Sequence, residues 1–377
     1  MNIPVRFKGV DYIRIGAFKK PLKNAPERER ALWRVFEQTP FENTPIRVGL
    51  RTHDVLGLLN YPVYFDLLKH LLPQTLDQIA EILSADRLIQ RNISGGWDIL
   101  NLGAILLSRN LEDFLTLRRK AVRVIQYSGT GRIETIRERV CNQGYAAGFG
   151  GLIEYVDSLL PSNETIETAL RKTIFMFPKI AIRELIANML IHQDFSITGT
   201  GPTVEIFSDR VEITNPGESL VATDRFIDAS PRSRNETMAS LMRRFGICEE
   251  RGSGIDKVIS TIEISQLPAP LFETPPGATR STIFAHKDLK DMNRADRVRA
   301  VYLHACLRHV MREKTSNPSL RQRFGITEGN AAIASRLLNE AIAAGMIVIE
   351  DPTAGRRSRA YLPFWAAPTA NGTENFA

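Results

Sequence analysis

The sequence predicts an α+β protein: an α/β sandwich core flanked by a helical connector and a C-terminal winged helix. Three observations predict it. Residues 181–194 read as a helix buried along one side, because Ile182, Leu185, Ile186, Met189 and Leu190 recur at i, i+3, i+4, i+7 and i+8. Residues 203–207 and 210–214 alternate as two strands about a Ser208-Asp209 turn and deliver Asn215-Pro216-Gly217 at a strand end. After Lys287 the pattern becomes helix, turn, helix and then a hairpin with an arginine-rich tip, the order of a winged helix.

With 377 residues, 43% hydrophobic and 24% charged, the chain has room for about two to four domains with proper cores. Cys141, Cys248 and Cys306 lie far apart without C-x-x-C spacing, which argues against zinc ribbons and a disulfide framework. No signal peptide or long apolar run stands out, so a soluble cytoplasmic protein with no membrane partner is expected. A net charge of +7 favours a polyanionic partner.

Taken in order, residues 4–16 read as two short strands about a Lys8-Gly9 turn, a hairpin that needs a larger sheet to bury its apolar face. Lys8, Arg14, Lys19 and Lys20 are either phosphate contacts or ordinary surface cations, and the second reading is favoured. Residues 46–115 read as a helical connector, with helices over 55–72 and 76–83 and a turn at Gly95-Gly96. A winged-helix-like module is the alternative, disfavoured because no basic cluster marks a recognition helix. Arg118, Arg119 and Lys120 lead into a strand over 122–127; further elements follow at 133–139 and 152–160, and 164–172 looks helical. A strand over 282–285 closes the sandwich, whose domain spans 116–290.

Within that domain Glu184 and Asn188 sit one helical turn apart, opposite the apolar stripe. A carboxylate and a carboxamide stacked this way can polarise a water and hold a magnesium ion beside a phosphate chain. The competing reading is a solvated helix face. Downstream, Glu250-Arg251-Gly252-Ser253-Gly254 opens a helix through Ile259, and paired glycines let backbone N–H groups approach a phosphate closely. His192 and Asp194 follow the key helix and read as packing and capping, since no third metal ligand accompanies them.

Ala-Ile-Arg-Glu-Leu-Ile-Ala-Asn with His-Gln-Asp-Phe, then Ile-Thr-Asn-Pro-Gly, Ser-Arg-Asn and Glu-Glu-Arg-Gly-Ser-Gly-Ile, resemble the ATPase-like domain of RecG-related, Schlafen AlbA-type transcriptional regulators. That domain is a divergent member of the GHKL, or histidine kinase-like, ATPases. The resemblance implies ATP and Mg2+ as cofactors, with Glu184 as the water-polarising group and Asn188 as the magnesium ligand. It implies that Gly252 and Gly254 cradle the phosphates and that Gly217 closes the turn under the base. Asn215 stands where the class carries an aspartate reading the adenine amino group; a carboxamide oxygen accepts the same hydrogen bond without the charge that strengthens it. Residues 218–250 would carry the lid, so that Arg232 or Arg234 reaches phosphate; a plain surface loop with Ser233 and Asn235 capping a helix is the equal alternative. Tyr12-Ile-Arg-Ile-Gly16, Lys19-Lys20-Pro21 and residues 27–35 are similar to the closing part of an AlbA-like domain, so residues 1–45 read as the remnant of one whose earlier part is missing.

Residues 291–365 make the winged-helix domain, with helices over 295–311, 318–324 and 328–344 and strands over 346–349 and 360–364; residues 366–377 read as a tail. Asn330, Ser335 and Arg336 are candidates for a DNA groove, and Arg356, Arg357 and Arg359 for its backbone. Winged helices also dock proteins, and DNA is the favoured reading. Three functions follow. The leading one is an ATP-binding transcriptional regulator in which nucleotide state biases DNA binding. The second is an ATPase that remodels or dimerises, with Glu184 catalytic and a homodimer as its partner. The third is an inactive protein-interaction scaffold. Helicase activity is not supported, because no G-x-x-x-x-G-K-[ST] loop is present.

Overall fold

The computed structural model describes residues 10–15, 18–37, 40–167, 170–230, 232–248, 254–355 and 358–367. Strand β1 (Tyr12–Ile15) pairs antiparallel with β2 (Phe18–Pro21), with Ile15 opposite Phe18. The expected Lys8-Gly9 turn lies outside the described residues. Helix α1 (Pro26–Glu37) begins on a proline, whose missing N–H would have no partner at a helix start in any case.

The next region is not all helix. Strand β3 (Pro45–Leu50) precedes α2 (Thr52–Leu58), α3 (Tyr61–Leu68) and α4 (Leu76–Ala85). Strands β4 (Ile89–Arg91) and β5 (Trp97–Leu100) then join β3 in a three-stranded sheet ordered β3-β5-β4, ahead of α5 (Asn101–Leu107). Turn chemistry overrides the helical reading of Trp97-Asp98-Ile99. Gly95 takes φ +80°, Gly96 N donates to Asn92 Oδ1 (2.9 Å), and Asn92 Nδ2 donates to Asp98 Oδ1 (3.1 Å). The predicted helix over 55–72 divides in two, since Pro62 opens α3.

The central domain contains β6 (Val122–Tyr127), β7 (Thr135–Cys141), α6 (Phe149–Leu159), β8 (Ser162–Glu167), β9 (Leu170–Phe175) and α7 (Lys179–Ile191). It continues through β10 (Thr203–Ile206), β11 (Arg210–Pro216), α8 (Glu236–Arg244), α9 (Gly254–Ile264), β12 (Leu271–Glu273) and β13 (Ala278–Phe284). Six strands form one mixed sheet in the order β12-β13-β11-β10-β6-β7, with β10 and β6 parallel. Alternation assigns the two faces. Val204, Ile206, Val211 and Ile213 share a core with Leu152 and Val156 of α6, Ile182 and Leu185 of α7, and Val258 and Ile262 of α9. Glu205 and Glu212, one residue out of that phase, accept from the Arg132 guanidinium at 2.6 and 2.5 Å, and Arg210 Nε donates to Glu212 at 2.6 Å. The helix expected over 164–172 is instead the β8–β9 hairpin, where the β-branched Thr165, Ile166, Thr173 and Ile174 favour extended backbone.

At the C-terminus α10 (Arg294–Val310), α11 (Asn317–Phe324) and α12 (Ala331–Ala343) precede β14 (Ile347–Ile349) and β15 (Tyr361–Pro363), an antiparallel pair. Val301, Ala305, Leu320, Ala334, Leu337, Leu338 and Ile347 form its own core. Ser316 caps α11 in a capping box and Gly325, at φ +63°, ends it. The unit docks on α9 through Ile259, which clusters with Ala300, Tyr302, Leu303 and Cys306. Beside them the buried His304 ring lies 2.9 Å from Glu263 Oε2 and 3.0 Å from Ser319 Oγ, while Arg323 Nη2 donates to Leu267 O at 2.6 Å. Among the described residues no helix is long and apolar enough to cross a membrane.

Candidate functional site

A cavity of about 680 Å³ opens between α7, α8, the start of α9, the ends of β11 and β13, and the segment 219–234. That volume suits a ligand of cofactor size. Of the residues singled out in the sequence, Glu184, Asn188, Asn215, Arg232, Arg234 and Gly254 all line it. Gly252 lies outside the described residues.

Glu184 does not sit on a solvated face: the residue is only 5% exposed. The cover is α9. A Cβ placed on Gly254 would fall 2.2 Å from Glu184 Oε1, so the absence of a side chain is what lets the two helices close over the carboxylate. The apolar stripe is buried as expected, joined by Ala181, Ala187 and Ile191, so α7 is enclosed almost all round. Asn188, one turn on, is half-buried and faces the same cavity.

The other end of the cavity is built by the strand that carries Asn215. This residue is 6% exposed, and its Nδ2 donates to the carbonyls of His192 (3.4 Å) and Pro216 (3.3 Å). Those two acceptors fix the amide, leaving Oδ1 as its acceptor. Gly217 does not line the cavity; it forms the turn beneath it. Its φ of +103° and a Cβ position 2.7 Å from Asp194 Cβ exclude a side chain there. Thr279 Oγ1, from β13, donates to Gly217 O at 2.8 Å, tying that turn to the sheet. The Asp194 carboxylate accepts from Ser196 N and Oγ in a local turn and caps no helix. His192 also lines the cavity, and burial together with the nearby Arg234 holds its imidazole below the ordinary histidine value.

Arg234 belongs to this same end. Its Nη2 donates to Glu218 O at 2.8 Å and its Nε lies 3.9 Å from Asp194 Oδ2. Arg232 is exposed at the mouth. Asn235 does not cap α8 with its side chain: its Nδ2 donates to the carbonyls of Ile191 and Gln193, both at 2.8 Å. The start of α8 is instead satisfied by the buried Glu42 carboxylate, which accepts from Thr237 N (3.2 Å) and Met238 N (2.5 Å).

Sequence reasoning did not single out Arg243, His192 or Thr279 as site residues, and all three line the cavity. Glu236, Ala239 and Arg243 do so at i, i+3 and i+7, a helical spacing that α8 displays in the sequence. Among the described residues no group of three or more His, Cys, Asp or Glu could hold a metal.

The C-terminal candidates lie apart from this cavity. Asn330 occupies the cap position of α12 and donates to Thr327 Oγ1 at 3.1 Å; Ser335 accepts from Asn317 Nδ2 at 2.9 Å. Ala332, Ser335, Arg336 and Asn339 form the exposed stripe of α12. Arg359 is half-buried, and Arg356 and Arg357 lie outside the described residues.

Residues 199–283 match the family model HATPase_c_4, described as "Putative ATP-dependent DNA helicase recG C-terminal". The match includes Asn215, Gly217, Arg232, Arg234, Arg243, Gly252, Gly254 and Thr279, while Glu184 and Asn188 precede it. No curated protein matches the chain. Among solved structures the chain is similar to the DIP2311 protein from Corynebacterium diphtheriae, at 16% identity and a TM-score of 0.54, over 94% of this chain and 70% of that one. The likeness to DIP2311 is one of fold, and the family match covers Asn215, Gly217, Thr279 and the start of α9.

Proposed function

We propose that the chain is an ATP-binding regulator in which nucleotide in the cavity biases DNA contact by the C-terminal unit. The family match supports ATP as the ligand, and the cavity's two unlike ends suit it. Asn215, with Oδ1 as a fixed neutral acceptor, suits the adenine amino group. Glu184 and Asn188 lie at the phosphate end, where Asn188 supplies an oxygen to phosphate-bound Mg2+ and Gly254 begins a helix whose N–H groups favour anions. Bound magnesium neutralises phosphate charge; the protein's own part is to orient the chain and exclude water.

One observation carries the regulatory reading: the segment over the cavity has two working faces. Leu220, Val221, Phe226 and Ala229 line the cavity. Between them, Asp224 O accepts from Tyr302 Oη at 2.5 Å, Arg225 lies 4.7 Å over the Trp365 ring, and Ile227 packs with Tyr302 and Cys306. A ligand that moves this segment must therefore work against its contacts with the C-terminal unit, which is a coupling free energy between two sites. Helices α10, α11 and α12 with the β14–β15 hairpin form a winged helix in this reading, and the exposed stripe bearing Ser335 and Arg336 enters the groove.

The test is anisotropy of a labelled duplex across a salt series, with and without ATP and magnesium. Affinity that falls steeply with salt, shifts with ATP, and loses that shift in Tyr302→Phe is the expected result. Absence of duplex binding at low salt contradicts the DNA half of the reading. A second reading, an ATPase, rests on the buried Glu184 beside Asn188; it requires phosphate release that Glu184→Gln abolishes while ATP binding persists.

A further inference from the structure

We propose that Arg243, not Arg232 or Arg234, reads the terminal phosphate of the bound nucleotide and makes the site selective for a nucleoside triphosphate over a diphosphate. The inference rests on the nucleotide reading above and deepens it.

The argument is the direction of α8. At its start, Asn235 Nδ2 donates to the carbonyls of Ile191 and Gln193, which end α7. Just past its end, Gly246 O accepts from Arg183 Nη2 at 3.0 Å, on the first half of α7. The two helices thus run antiparallel along the cavity, so positions late in α8 lie level with positions early in α7. That run sets Glu236 level with the His192 end of α7 and Arg243 level with its Glu184 half. Seven helical residues separate those two levels, a rise of about 10 Å, comparable to the span from a base to the far end of its phosphate chain.

Charge agrees with position. Arg234 is held at the base end by Glu218 O and Asp194, the residue under Gly217. The neighbouring Arg244 turns away to pair with Asp86 at 2.8 Å. Arg243 lines the cavity, is exposed, and its guanidinium makes no hydrogen bond or ion pair among the described residues. A guanidinium presents a planar fork matched to phosphate oxygens, and this one faces the cavity with no protein acceptor already holding it.

Calorimetric titration of ATP, ADP and adenosine, each with magnesium, into the full chain, Arg243→Ala, Arg243→Lys and Arg234→Ala tests this. Arg243→Ala should weaken ATP at least tenfold, about the worth of one charge-assisted hydrogen bond, leave adenosine unchanged, and erase most of the ATP-to-ADP preference. Arg243→Lys should restore part of it. Arg234→Ala should weaken all three ligands alike. If the unaltered chain binds ATP and Arg243→Ala keeps the same ATP-to-ADP ratio, the assignment of Arg243 is overturned while the nucleotide reading stands. If the unaltered chain binds none of the three, both fall together. Arg243 is exposed and without a partner, so its removal is not expected to disturb the fold.

Discussion

Gly254→Ala isolates the contact on which the cavity is built. The new methyl carbon would lie 2.2 Å from Glu184 Oε1, 2.9 Å from Cδ and 3.1 Å from Cγ. The first of these is more than 1 Å inside the roughly 3.5 Å of ordinary non-bonded contact. Glu184 is 5% exposed and enclosed between α7 and α9, so the carboxylate leaves its rotamer or the helices part. The first route costs about 0.5–1.5 kcal/mol; the second is an overpacking cost of about 1–3 kcal/mol. The cheaper route sets the outcome, so guanidinium unfolding should show a loss of about 0.5–1.5 kcal/mol for Gly254→Ala. A double-mutant cycle makes the reasoning exposed to failure, because Glu184→Ala removes every atom in the collision. In that background Gly254→Ala should cost almost nothing, giving a coupling of about 0.5–1.5 kcal/mol. Strictly additive losses would refute the claim that these two residues meet.

Three further outcomes follow from the same geometry. Glu42→Ala strips the buried acceptor from Thr237 N and Met238 N and should destabilise the chain by about 1–2 kcal/mol in urea, as loss of a helix cap does. For His192, burial and Arg234 lower the folded value below the ordinary one, so the unfolded chain binds the proton more readily. Its contribution to stability is present above the ordinary histidine value of about 6.5 and is lost as pH falls through the folded value; the urea midpoint should drop between pH 7 and pH 5, less so in His192→Gln. The Cys306 thiol is pushed up to about 12 by burial, so a thiol reagent at pH 8 should modify it only after unfolding, whereas Cys248 at the cavity wall should react in the native chain.

Local signals account for what the sequence made legible. The 3.6-residue recurrence of Ile182, Leu185, Ile186, Met189 and Leu190 requires no distant partner to be read, and α7 forms where it predicts. Ser316 and Gly325 bound α11 by caps visible in the chain itself, and all five elements of the C-terminal unit fall in the expected order. What escaped depends on long range. The acceptor for the start of α8 is Glu42, 195 residues away, and Asn235, which has the chemistry of a cap, is used instead to hold the end of α7. The solvated-face alternative for Glu184 could not be discarded from the sequence, because nothing nearby announces that α9 will lie over it; only Gly254 marks the approach. The strands at 89–91 and 97–100 were masked by flanking Leu-rich helices, although Asn92 and the two glycines between them carried the turn. Arg243 was spaced correctly on α8, yet its level along the cavity is set by tertiary packing against α7.

The central claim is that the cavity binds ATP with its phosphates at the Glu184 and Asn188 end. Calorimetric titration of ATP with magnesium into the unaltered chain and into Asn188→Ala tests it most directly. The account predicts saturable binding that weakens about tenfold in Asn188→Ala, the loss expected when one polar contact to a charged group is removed. No heat at millimolar nucleotide from a demonstrably folded protein, or equal affinity in Asn188→Ala, would contradict it.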